Sequence, residues 1–106
     1  IAALVRKYAN LNGVSERSMT EVIKCEAPRR KDGSLDPAGQ SNIVDEKGVR
    51  EDSWGLAQIN LPSHRNVFKS QAQDPEFSIR FMAENFASGN ANLWTCWRDL
   101  KAKGKI

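Results

Sequence analysis

Apolar positions along this chain recur first at helical spacing, then alternate briefly, and then return to helical spacing. Ala2, Leu4, Val5, Tyr8 and Leu11 share one face, and Gly13 follows where a left-handed C-terminal cap would lie, which predicts a first helix over residues 1–11. A second helix starts near Glu16. Ser15 is a good N-cap, Glu16 places negative charge in the first turn, and Val14 and Met19 have the spacing of a hydrophobic staple. Met19, Val22 and Ile23 continue as an apolar stripe at i, i+3 and i+4, and the i+7 position, where a Leu would be expected, is Glu26. Ala27 precedes Pro28 and is thereby biased away from helical angles, so the helix ends at about Glu26.

After Pro28 the chain is polar and rich in turn residues as far as Gln40, with Asp32-Gly33 and Asp36-Pro37 as breakers, and reads as a surface loop. Residues 41–44 and 49–54 flank Asp45-Glu46-Lys47-Gly48, a hairpin pattern in which Gly48 supplies a left-handed turn residue. The following W-G-L-A-Q-I-N, residues 54–60, fits either a third short strand or a buried turn, and Pro62 closes it. Asp74-Pro75-Glu76 is a strong helix start, with Asp at the N-cap and Pro at the first helical position. Ile79, Met82, Ala83 and Phe86 then form an unbroken apolar stripe, and Gly89 ends the helix. A last helix from near Asn92 carries Leu93, Trp94, Cys96, Trp97 and Leu100 inward. No repeat or low-complexity segment interrupts the pattern.

At 106 residues and 40% hydrophobic content the chain suits one compact domain over residues 1–106, α+β and mostly helical. No apolar run approaches membrane-spanning length, and no signal peptide is visible. The first residue is Ile1 rather than Met, as in a processed product or a piece of a longer chain. The net charge of +3 fits a nucleic acid, an anionic cell wall or no particular partner. The basic clusters at Arg29, Arg30 and Lys31 and at Lys101, Lys103 and Lys105 lack interleaved aromatics or a reading helix, which argues against nucleic acid.

Cys25 and Cys96 have no C-x-x-C partners and only one His accompanies them, so no metal site is expected; a disulfide or two buried thiols remain. A bridge would close a loop of roughly 70 residues, for which the chain-entropy model allows about 4 kcal/mol at most. It would also require an oxidising compartment.

Glu26 is the candidate for chemistry. Partial burial and the negative end of its own helix would both favour the protonated carboxyl, whereas a glutamate at a frayed helix end simply turns into water. The order of a helix ending in Glu, a loop, a hairpin, then G-L-A-Q-I-N at 55–60 and N-L-W-T-C-W-R at 92–98 resembles the lysozyme superfamily. It is most similar to the bacterial and phage lytic transglycosylases, and the resemblance covers residues 15–100. Its most specific part is the likeness of 55–60 to the G-[IL]-x-Q-[IL]-N stretch that lines the sugar cleft in those enzymes.

The resemblance implies a lysozyme-like fold with a small β-hairpin beside the active-site cleft, and an enzyme that cleaves peptidoglycan between N-acetylmuramic acid and N-acetylglucosamine. Glu26 takes the role of catalytic acid, supported by a raised pKa against an aromatic such as Trp94. Gln58, Asn60 and Trp94 fall at substrate-binding positions, and Ser53 at a supporting one. Trp97 reads as core. Cys25 and Cys96, beside the acid and between the two tryptophans, would approach each other, form a disulfide and brace Glu26 from behind. No cofactor is implied; the partners are glycan strands, with no nucleic acid and no membrane span, and the protein is expected to be an extracytoplasmic monomer (secreted, periplasmic, wall-associated or in a phage virion).

The chain departs from animal lysozymes at the second carboxylate, since Ser53 stands where they carry Asp. Strand alternation puts Asp52 on the opposite face and Glu51 on the face of Ser53. A single evident acid favours the transglycosylase, which uses no water, over a hydrolytic muramidase on the same fold, for which two carboxylates are needed. A non-catalytic wall-binding module is the third reading, but a pure binder has no reason to place Glu26 on an apolar stripe. His64 reads as a solvated loop residue, with sugar stacking as its alternative.

Overall fold

The computed structural model describes residues 1–106, about half of them helical, with one small antiparallel sheet. The chain groups into two compact units, one of Ile1–Glu26 with Ile79–Ile106 and the other of Ala27–Ser78.

In the first unit, α1 (Ala2–Asn12) ends at Gly13 in the left-handed region, φ +65°, and α2 (Glu16–Glu26) follows after two residues. Ser15 caps α2 by accepting the Ser18 amide at 3.0 Å. The two helices pack through Val5, Tyr8 and Ala9 on α1 and Met19, Val22 and Ile23 on α2, all buried. Leu11 was expected inward and is 70% exposed. The buried row runs 5, 8, 9 and continues at Asn12, whose side-chain amide donates back to the Tyr8 carbonyl at 2.8 Å, so Leu11 lies off it.

Helix α4 (Pro75–Ala87) begins in the second unit, where Asp74 Oδ1 accepts the Glu76 amide at 3.0 Å, and places Ile79, Met82 and Ala83 in the core of the first. The last predicted helix is interrupted: Ala91–Leu93 is a single 3₁₀ turn, Trp94 is extended, and α5 is Thr95–Ala102. The break turns Trp94 inward, edge-on to Phe81 and Phe86 with ring centroids 6.2 and 5.5 Å away. It also leaves Leu93, expected inward, 57% exposed, with Cys96, Trp97 and Leu100 half-buried.

The second unit is loop-rich. The predicted hairpin forms in one register, with Ser41 N–H to Ser53 O (2.9 Å), Glu51 N–H to Ile43 O (2.8 Å) and Asp45 N–H to Val49 O (2.9 Å), and Gly48 turns it at φ +80°. Its ladder is incomplete because the Arg50 side chain takes backbone acceptors: Nε donates to the Ser41 oxygen at 2.6 Å, where a regular ladder would place the Ser53 amide. Regular strands are therefore confined to β1 (Ser53–Trp54) and β2 (Ile59–Asn60), with Ser53 opposite Asn60 and Trp54 opposite Ile59. Residues 54–60 thus combine both predicted readings, a turn at 55–58 between two paired strands. A 3₁₀ turn (Leu61–Ser63) and the one-turn α3 (Lys69–Ala72) complete the unit. A single turn leaves no periodicity to detect, and α3 was not anticipated.

Candidate active site

Glu26 is the last residue of α2 and is half-buried. Its Oε1 accepts the backbone N–H of Cys96 at 3.1 Å, in the first turn of α5. Cys25 and Cys96 are joined by a disulfide with Cα atoms 6.0 Å apart, so the residue before the acid is bonded to the residue whose amide holds it. The carboxyl is therefore anchored twice over, through its own chain and through its hydrogen-bond donor. The sequence suggested partial burial and the end of α2 as its surroundings, and the structure adds the Cys96 amide as a hydrogen-bond donor. The frayed alternative, a glutamate turned fully into water, is not what is observed.

Trp94 immediately precedes α5 and is 6% exposed, with Phe81 and Phe86 packed against its ring. Packing accounts for most of its surface. Trp97 is half-buried on the same helix.

In the second unit the G-L-A-Q-I-N stretch is built around a strained turn. Gly55 lies at φ +82°, and a Cβ there would sit 1.8 Å from the Ala72 carbonyl oxygen. Only glycine satisfies both conditions. Gln58 closes the turn at φ +48°, uncommon for a residue with a side chain. Its amide Nε2 donates to the Gly55 oxygen at 2.8 Å and to the Gly39 oxygen at 3.4 Å, tying the turn to the preceding loop. Leu56, Ala57 and Ile59 are fully buried.

Ser53, Asn60 and Glu51 form a chain of hydrogen bonds. Asn60 Nδ2 donates to Ser53 Oγ at 3.2 Å, and Ser53 Oγ donates to Glu51 Oε1 at 2.7 Å. Asn60 Oδ1 also accepts the Ser63 amide at 3.1 Å. Ser53 is 1% exposed, so its hydroxyl is committed internally, to orienting Glu51. Asp52 behaves as strand alternation requires: it sits with Trp54, accepting the indole N–H at 2.6 Å, and Lys69 Nζ lies 4.4 Å from the centre of that ring. His64 is half-buried beyond the 3₁₀ turn.

The structure thus brings together Glu26, Cys25, Cys96 and Trp94 in one unit, and Ser53, Gln58 and Asn60 in the other. Two participants were missed. Ser78, wholly buried, accepts the Ala57 amide N–H through Oγ at 2.8 Å, in the middle of the motif. Its place four residues before Met82 on α4 was the available signal. The Cys96 amide is a backbone group, and no side-chain pattern could have indicated it. No group of His, Cys, Asp and Glu residues is arranged to hold a metal ion. No family model matches the chain, and no curated protein or solved structure is significantly similar to it.

Proposed function

We propose that this chain is a peptidoglycan lytic transglycosylase on a lysozyme-like fold, cutting the β-1,4 bond between N-acetylmuramic acid and N-acetylglucosamine. The observation that carries this reading is the fixed position of Glu26, an acid on an apolar stripe at a helix end, held by the Cys96 amide and flanked by the disulfide. A proton donor has to be held in one place to act in a transition state. Glu26 protonates the glycosidic oxygen as the bond to the muramic anomeric carbon breaks. The muramic 6-hydroxyl then attacks that carbon, and the carboxylate of Glu26 takes the hydroxyl proton, restoring the acid without consuming water. Gln58, Asn60 and Trp94 are the residues assigned to the sugars, and Ser53 supports them. The disulfide fits an extracytoplasmic setting.

Digestion of purified sacculi followed by mass spectrometry of the fragments tests the reading. Products ending in 1,6-anhydro-N-acetylmuramic acid are expected, and none from Glu26→Gln, which removes the proton and keeps the shape. Near-native turnover by that variant would refute the assignment. The bond from Ser53 to Glu51 favours one second reading, a hydrolytic muramidase with Glu51 as the second carboxylate. Predominantly reducing-end muramic acid, lost in Glu51→Gln, would decide for it.

A further inference from the structure

Helix α5 buries none of its residues fully: Cys96, Trp97 and Leu100 are half-buried and the others exposed. At eight residues it is too short to persist as a helix on its own. Its first amides have no acceptor within the helix, and Trp94, at the N-cap, supplies none from its side chain. Glu26 Oε1 fills that place by accepting the Cys96 N–H at 3.1 Å. The carboxyl and the start of α5 therefore position each other, and the covalent tie that keeps them within reach is the Cys25–Cys96 bond. Cys25 is exposed, which is the setting of labile disulfides rather than of inert structural ones. The chain has no other cysteine, so a thiol reagent has this one target.

We infer that the Cys25–Cys96 disulfide is a thiol-exchange site that governs the position of Glu26: a dithiol that reduces it frees α5 locally and withdraws the Cys96 amide from the carboxyl. A thiolate of the dithiol attacks Cys25 Sγ and forms a mixed disulfide, while the bond to Cys96 Sγ breaks. Cys96 leaves as a thiolate in the first turn of α5, where the helix N-terminus favours negative charge, and then takes a proton. The second thiol of the reagent, deprotonated, closes on the mixed disulfide and releases Cys25, which is protonated in turn. Two electrons and two protons thus pass from the dithiol to the protein, and the reagent ends as a cyclic disulfide. The consequence for catalysis rests on the proposed function: Glu26 works as an acid in an oxidising compartment and loses its fixed position in a reducing one.

The test is amide hydrogen exchange followed by NMR, on the oxidised protein and on the same sample reduced with dithiothreitol well below its thermal midpoint. The Cys96 amide should be protected when oxidised and unprotected when reduced, while the amides of the buried Ile23 and Met82 stay protected in both states. Sacculus digestion is the second measurement. Reduction should lower its maximal rate roughly hundredfold, as a misplacement of about 1 Å can. The sacculus concentration giving half that rate should change little, because Gln58 and Asn60 keep their hydrogen bonds within the other unit. Reoxidation with oxidised glutathione should restore the rate, and Cys25→Ser with Cys96→Ser should match the reduced protein and not respond to dithiothreitol. Protection of Cys96 that survives reduction, or that is lost only together with that of Ile23 and Met82, would overturn the switch. A double variant as active as the oxidised protein would do the same. The exchange measurement involves no glycan. Cleavage at equal rates in both redox states would therefore reject the switch alone, and redox-dependent protection of Cys96 without cleavage in either state would uphold the hold on Glu26 while removing the transglycosylase.

Discussion

Replacing Gly55 by Ala places a methyl group where the backbone of Ala72 already lies. The added carbon would be 1.8 Å from the Ala72 carbonyl oxygen and 2.8 Å from its carbon, whereas ordinary contact begins at 3.4 Å, a shortfall of 1.6 Å. The obstacle is main chain at the end of α3 and cannot rotate aside as a flexible side chain would. Two costs combine. The left-handed conformation at φ +82° costs an L-residue about 1–2 kcal/mol, and forcing the packed backbone apart adds roughly 1–3 kcal/mol. Gly48 separates them, since it lies in the same unit at φ +80° with nothing within 4 Å of its would-be Cβ. Gly48→Ala should therefore show only the conformational cost. In urea unfolding followed by circular dichroism, Gly55→Ala should unfold about 1 M below Gly48→Ala at an ordinary slope for a chain of this size. Coincident midpoints would refute the close approach of Gly55 to α3, and with it the explanation of why the motif begins with glycine.

Removing both cysteines (Cys25→Ala with Cys96→Ala) should cost up to about 4 kcal/mol by the loop-entropy estimate for a separation of 71 residues, read as a lowered thermal midpoint, and thiol titration of the native, non-reduced protein should find no free thiols. Ser53→Ala leaves Asn60 Nδ2 and Glu51 Oε1 without their shared partner and should cost about 1–2 kcal/mol in the same urea assay. Asp32 titrates below its usual 3.8, first because the Ser34 hydroxyl donates to it and then because the Ser34 amide does. Its contribution to stability is complete above 3.8 and is lost as the pH falls through the lower, folded-state value. Ser34→Ala should move the Asp32 carboxyl titration, followed by NMR, back upward.

Local physics was enough to place much of this fold. Helix α2 starts and stops where Ser15 and the Ala27-Pro28 pair require, and α4 starts where Asp74 caps it, because caps and prolines act within one turn of themselves. The same holds for the hairpin register, which follows from Asp45 and Gly48 at its tip. The candidate acid was visible too, since a charged residue on an apolar stripe violates the pattern around it. Other features depend on partners distant in the chain. The last helix breaks at Trp94 because its ring packs on Phe81 and Phe86, and that break, not periodicity, leaves Leu93 outside.

The disulfide illustrates the same division: residue types and spacing left two cysteines that either paired or stayed reduced, the family resemblance implied that they pair, and the packing of α2 against α5 brings their Cα atoms to 6.0 Å. The surroundings of Glu26 and Ser53 were likewise beyond local inference. Glu26 meets an amide 70 residues away, and Ser53, which alternation placed on a face with Glu51, proves buried and bonded to it through the pairing of β1 with β2. Spacing along a chain specifies which residues share a helix face or a strand face, because the backbone repeats are fixed. Which polar atom receives which proton depends on segments brought together by folding, and those distances exist only in the tertiary structure.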